Sequence, residues 1–409
     1  MRSKLAVVVS LGTISLAAVS GISGSTVWAQ NGPAEDPARV LVQRLDLEKY
    51  KATIKGLTQF GDRREGTDRN KEAIDWIETQ LKSSGCTNTE RLSYEYRPPT
   101  ATPAAAAGSQ PSNAAGTSTP LAVGGGRPRG YRIPDQANTD PNKQPDLKLR
   151  ELNAQTPTPG AREEVYCTKI GTSHPDEMYI VSGHMDGRGF GEAANDDGSG
   201  TALVMELARV FSSPDVLTER SIRFILWNNE ETGSAGAGAY VQQRKDLQGK
   251  ENPIGSGRYP EPKWLGMIQH DMMLFDHGMP RSDGTMSKEQ RPEADVNVEF
   301  QANAKFAAAA QELAWVLERA NERYATDYPA AVGSHMTNTD SRPFQDVAAA
   351  ISVRENERGT QIGNGWDPQH HQPTDLYATY NDKDFRLGLN AAQTTLSAVA
   401  QLTGATLKR

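Results

Sequence analysis

The chain has 409 residues, enough for one large or two ordinary domains. Its formal net charge of -7 is that of a mildly acidic chain, not one built to hold nucleic acid. Beyond the N-terminus, no stretch is apolar and long enough to predict a membrane span.

Residues 1–29 read as a secretory signal. Arg2 and Lys4 form a basic start, Leu5 to Ile22 is mostly apolar and small, and Val27-Trp-Ala29 suits a small-x-small cleavage site. Ser, Thr and Gly interrupt the apolar core, so it makes a poor permanent anchor. The expected location is therefore periplasmic or extracellular. Export makes a disulfide between the two cysteines, Cys86 and Cys167, permissible, but sequence alone does not pair them.

From Ala38 to Leu57 the apolar spacing predicts a helix. Gly66-Thr-Asp68 then reads as a turn and cap before a second, Arg69 to Lys82. In that helix Ala73, Ile74, Ile77 and Leu81 recur on one face. Ser84-Gly85 closes it, and Thr87 to Tyr96 alternates like a strand. Composition shifts at Pro98. Pro98 to Gly126 is almost all Pro, Ala, Gly, Ser and Thr, and Arg127 to Gly160 is polar with little to build a core. The stretch 98–160 reads as a loop or flexible insertion within a domain made of 30–97 and 161–409. A strand is expected over Glu163–Ile170. If it pairs with Thr87–Tyr96, the cysteines would face each other.

After Gly171, strands and helices alternate. Strands are predicted at Met178–Ser182, Ser221–Asn228, Trp264–His270 and Val347–Val353. Helices are predicted at Ser199–Ser212, Gly236–Asp246, Ala302–Arg323 and Asp382–Leu402. This order argues an α/β fold, a sheet with helices on both faces, and there is no internal repeat. Acid and imidazole side chains fall at or just beyond strand ends: His184, the adjacent Glu230 and Glu231, and Asp271. The C-terminal edge of an open α/β sheet is where sites form. Histidine with carboxylates is a zinc donor set.

These segments, in this order, resemble the co-catalytic zinc aminopeptidases of metallopeptidase family twenty-eight. The likeness runs through Phe60-Gly-Asp-Arg-Arg-Glu-Gly-Thr67, Tyr166 to His184 with Asp186, Asn195-Asp-Asp-Gly-Ser-Gly200, Trp227-Asn-Asn-Glu-Glu-Thr-Gly233 and His270-Asp-Met272. It ends in Thr339-Asp-Ser-Arg-Pro-Phe344, with Ser341 where His is usual, and His371-Gln-Pro-Thr-Asp375. The resemblance implies a mixed, mainly parallel central sheet and two Zn²⁺. His184 and Asp271 would hold one ion, Glu231 and His371 the other, and Asp196 would bridge them. It makes Glu230 the general base on the bridging water. Asp186 would accept from the second nitrogen of His184 and fix its tautomer. If the chain is extended at Glu230-Glu231, alternation would turn one toward metal and the other toward water.

Other residues invite plainer readings. His270 is expected to pack, Asp197 to cap a helix, and His277 and His335 to sit in loops. His370 stands where many relatives have an oxyanion-donating Tyr, so either it takes that role or the donor is missing. The reading implied by the resemblance is an exported dizinc exopeptidase removing N-terminal amino acids from peptides or small proteins. The alternatives are a glutaminyl-cyclase-like acyltransferase, a carboxypeptidase-type member of the family, and a binding protein with a decayed site.

Overall fold

A computed structural model of the protein describes residues 36–97, 141–276, 296–334, 339–355, 367 and 369–408. The expected signal segment, residues 98–140 of the insertion, His277 and His335 lie outside them. In place of the single helix expected over 38–57 there are two, α1 (Pro37–Gln43) and α2 (Leu47–Thr58). Asp46 makes the break: its side chain caps α2 by accepting from the N–H groups of Glu48 and Lys49. α3 (Asp68–Ser83) buries Ala73, Ile74, Ile77 and Leu81, the face its spacing predicts.

β1 (Thr89–Tyr96) pairs antiparallel with β2 (Gly160–Lys169). A disulfide joins Cys86, just before β1, to Cys167, with Cα atoms 6.0 Å apart. Between the strands, part of the stretch expected to be loop is helical: α4 (Leu147–Asn153). It is held by polar contacts rather than by an apolar stripe. Arg69 Nη1 donates to the Leu152 carbonyl at 2.6 Å, and Asn153 donates to Gly191 O at 3.3 Å. Gln144, just upstream, donates to the carbonyls of Phe190 and Pro373.

Next come β3 (His174–His184), α5 (Gly198–Phe211), β4 (Val216–Leu217), β5 (Arg220–Trp227), α6 (Ala235–Arg244), β6 (Lys263–His270) and β7 (Val296–Phe300). They are followed by α7 (Ala307–Tyr324), β8 (Ala330–Gly333), β9 (Ala350–Arg354), α8 (Asp382–Leu402) and β10 (Thr406–Leu407). Strand and helix starts slip from expectation where turns intervene. Ala304 N–H bonds Gln301 O before α7, and Val347 N–H bonds Phe344 O before β9.

Eight strands form one sheet in the order β1-β2-β5-β3-β6-β9-β7-β8. β5, β3, β6 and β9 run parallel at its centre. Alternation along β5 separates two cores: Ile222, Phe224 and Leu226 join the one containing α2, α3, α5, α7 and α8 residues, while Ile225 and Trp227 join Tyr240 of α6 and Phe344. The expected sheet with helices on both faces is thus present. β10 pairs with β4 in a separate two-stranded sheet.

The close approach of α5 to β3 sets up the site. A Cβ at Gly183 would stand 2.8 Å from the backbone of Gly200, so only glycine lets the helix N-terminus reach the strand end. Asp197 caps α5 as expected, through Gly200 N–H at 2.8 Å. It also accepts from the N–H groups of His184 and Met272, at 3.0 and 3.2 Å, tying α5, β3 and the end of β6 together.

Candidate metal centre

Because β5, β3 and β6 are parallel, their C-terminal ends share one edge of the sheet. His184 closes β3, Asp271 follows β6, and Glu230 and Glu231 follow β5. The loop after β3 brings Asp196 to the same edge, and the segment before α8 brings His370 and His371.

Asp196 lies between two groups of donors. Its Oδ1 is 3.4 Å from His184 Nε2, which is 3.7 Å from Asp271 Oδ1. Its Oδ2 is 3.0 Å from His371 Nε2, and Glu231 Oε2 is 2.9 Å from that nitrogen. His370 Nε2 also reaches Asp196 Oδ2, at 3.2 Å, and its ring stacks on His371 with centroids 3.9 Å apart. Among the described residues, two groups could hold a metal ion: His184 with Asp196 and Asp271, and Asp196 with His370 and His371. Around a tetrahedral zinc with bonds of about 2.0–2.2 Å, donor atoms sit about 3.3–3.6 Å from one another. The 3.4 Å spacing on Oδ1 falls in that range, and the 3.0 and 3.2 Å spacings on Oδ2 are somewhat tighter.

The electrostatics point the same way. Burial opposes ionisation of Asp196, but His184, His370 and His371 outweigh it and hold the carboxyl well below its usual range. For Glu230 burial acts first and crowding by Glu231, Asp271 and Asp196 adds to it, pushing its carboxyl well up although His184 opposes. Asp340, buried and close enough to feel Glu230, is also pushed well up. So many buried acids on one edge call for positive charge to offset them, which bound cations would supply.

The surrounding bonds fix the orientation. His184 Nδ1 lies 2.9 Å from the main-chain carbonyl of Asp186, and 3.8 Å from its carboxylate. A carbonyl can only accept, so Nδ1 carries the proton and Nε2 turns its lone pair to the cluster. The tautomer is therefore fixed by the Asp186 backbone rather than, as expected, by its side chain. That carboxylate instead accepts from the N–H groups of Glu230 and Glu231, at 3.1 and 3.4 Å, and burial pushes it up to about 7. Glu230 and Glu231 lie in a bend past β5, entered through Asn229 at φ +64°, so strand alternation does not separate their roles. Met272 and His371 also have positive φ, at +64° and +57°. Strained non-glycine residues of this kind gather where side chains must be aimed.

Asp375 is a positioning group to which the sequence assigned no role, although it closes a quoted motif. It accepts from the N–H groups of Asn195 and Asp196, at 2.9 and 3.1 Å, and from Tyr380, binding the Asp196 segment to the His371 loop. Burial, with Asp367 nearby, pushes it up to about 8. His270 bridges Ser182 O and Thr395 Oγ1, the packing role expected, and burial pushes it down to about 4.

Known proteins share this framework. A zinc aminopeptidase from Bacillus subtilis superposes with a TM-score of 0.57 at 16% identity, over 89% of this chain and 96% of that one. A Porphyromonas gingivalis glutaminyl cyclase gives 0.53 at 14%, over 88% and 99%. In sequence, aminopeptidase YwaD of Bacillus subtilis is 40% identical over 81 residues, and carboxypeptidase Q of Xenopus laevis 34% over 76. Those matches span 20% and 19% of this chain, but only 17% and 16% of the relatives' own lengths. The model of Peptidase family M28 matches residues 165–395, which carry nearly all of the site just described. The chain belongs to peptidase family M28.

Proposed function

We propose that the protein is an exported dizinc exopeptidase that removes N-terminal amino acids from peptides or small proteins. The carrying observation is Asp196, whose two oxygens face separate donor groups, His184 with Asp271 and His371 with Glu231. Bound there, two zinc ions would polarise the scissile carbonyl and lower the pKa of the water between them. Glu230 would take the proton from that water and hand it to the leaving amine. Asp186 supports this role by holding the N–H groups of both glutamates. We assign His370 the donor to the developing oxyanion. What supports that is its place at the centre, with its ring stacked on His371 at 3.9 Å.

The acid-rich edge favours a substrate ammonium over a substrate carboxylate. Arg354, the arginine against Asp271, is already paired with Asp271 and Glu299. This supports an aminopeptidase over a carboxypeptidase-type activity. The signal read in residues 1–29 supports export.

The test pairs the two glutamates. Glu230→Gln is expected to keep both zinc ions and lose at least ~10²-fold in turnover, the usual least cost of removing a general base. Glu231→Gln is expected to lose metal as well. The wild type should free amino acids from short peptides and ignore N-acetylated ones. Full activity in Glu230→Gln would remove the assigned base, and pyroglutamate formation without hydrolysis would favour the cyclase.

A further inference from the structure

Arg354 ends β9 with its side chain 3% exposed. β9 runs beside β6, and the Asp271 N–H bonds the Val353 carbonyl at 3.2 Å. That register brings the guanidinium to the Asp271 carboxylate, with Nη2 2.9 Å from Oδ2. The other oxygen, Oδ1, faces His184 Nε2 at 3.7 Å. Arg354 is steadied along its Nε edge, by Ser352 Oγ at 3.1 Å and Glu299 Oε2 at 3.7 Å. Across the site the matching acid, Glu231, is placed differently. Both its oxygens meet His371 Nε2, at 3.1 and 2.9 Å, and its ion pairs among the described residues are with that histidine.

The two halves of the centre are therefore unequal. Among the described residues, one terminal carboxylate shares its charge with a buried arginine and the other pairs with histidine. We propose that Arg354 is a positioning residue that keeps Asp271 to one cation-facing oxygen and makes the His184–Asp271 position the weaker of two zinc positions. This rests on the dizinc reading above. The physical cause is twofold. A guanidinium bonded to a carboxylate draws charge from it. Its own charge also repels a dication held nearby in a site poor in water, where screening is weak. Glu231 keeps both oxygens turned to His371, with no arginine pair among the described residues. Partners of this kind around a ligand tune how tightly it holds metal.

The test is zinc affinity, measured by competition with a chromogenic chelator on metal-stripped full-length protein. His184→Ala and His371→Ala assign the two affinity classes. In the wild type the class lost with His184 is expected to be the weaker, by about tenfold or more. Arg354→Met should tighten that class by about tenfold and leave the other within about threefold, whereas Arg354→Lys, which keeps the charge, should stay near wild type. Glu299→Gln combined with Arg354→Met repeats the test with the carboxylate charge that faces Arg354 removed as well. A His184-dependent class equal to or tighter than the other overturns the proposal, even if neither Met variant folds. So does an unchanged or weakened class in a folded Met variant. Fewer than two zinc ions bound by the wild type would overturn the dizinc reading, and this inference with it.

Discussion

Arg63 shows how far single residues outside the donor set govern the site. It is fully buried and adopts φ +53°. Its guanidinium donates to the carbonyls of Met185, Glu192 and Ala193 at 2.7–2.8 Å. Those residues frame the loop that carries the chain from His184 to Asp196. Replacing Arg63 with Met would strand these buried acceptors, and hydrogen bonds from a charged donor are the strong kind. Arg63→Met is expected to cost about 2–4 kcal/mol in denaturant unfolding and to speed zinc loss to a chelator. Unchanged stability would show that the loop holds itself. The donor residues were legible in the sequence because each follows an apolar run or sits in a recognisable motif, and the structure brings His184, Asp196, Glu231, Asp271 and His371 together. Arg63 and Arg354 were not legible as positioning groups. Arginine ordinarily marks a surface, and only the tertiary fold buries these two against carbonyls and a carboxylate.

At the scale of elements, the edge of the sheet is fastened by side chains as well as by the ladder. Glu78 of α3 accepts from Lys82 at 2.6 Å, from Thr89 at 2.9 Å and from Arg91 of β1 at 2.5 and 2.8 Å. The Lys82 bond, opposed by slight burial and joined by Arg91 and Thr89, lowers its carboxyl to about 2 from 4.5. A carboxylate depressed on folding stabilises fully above its unfolded pKa, and the benefit is lost as pH falls through the folded one. The window is therefore about pH 4.5 down to about 2. Glu78→Gln should cost at most about 1 kcal/mol at pH 7, because the cluster is partly solvated, and the gap to wild type should close across that window. A gap independent of pH would assign the effect to packing instead. The long elements were legible from their periods, α3, α5, β5, β6 and α8 most plainly. β7, β8 and α4 were not: two are strands of only five and four residues, and the helix is tied down by Arg69, Asn153 and Gln144 contacts that no apolar stripe announces.

For the whole molecule, the metal centre is also a matter of stability. The parallel strands β5, β3 and β6 deliver their acids to one edge, and Asp186, Asp196, Asp271 and Asp340 are all buried there. Arg354, which faces Asp271, is already divided between it and Glu299. A fold that collects acids in this way is strained without a counter-charge and relieved by one. Ions that bind the folded chain and not the unfolded one stabilise it by about 4 kcal/mol when present at about a thousand times their dissociation constant. For a domain of this size or somewhat smaller, each kcal/mol moves the midpoint by roughly 2–4 °C. Chelation is therefore expected to lower the melting temperature by about 10 °C, and zinc added back should restore it. The shift should survive in Glu230→Gln, which keeps the donors, and shrink in Asp196→Asn, which alters the carboxylate shared by both groups. A melting temperature indifferent to chelation, in protein shown by metal assay to have lost its zinc, would mean that the acids are neutralised by protons instead. The edge would then be a preformed site whose metal serves chemistry alone.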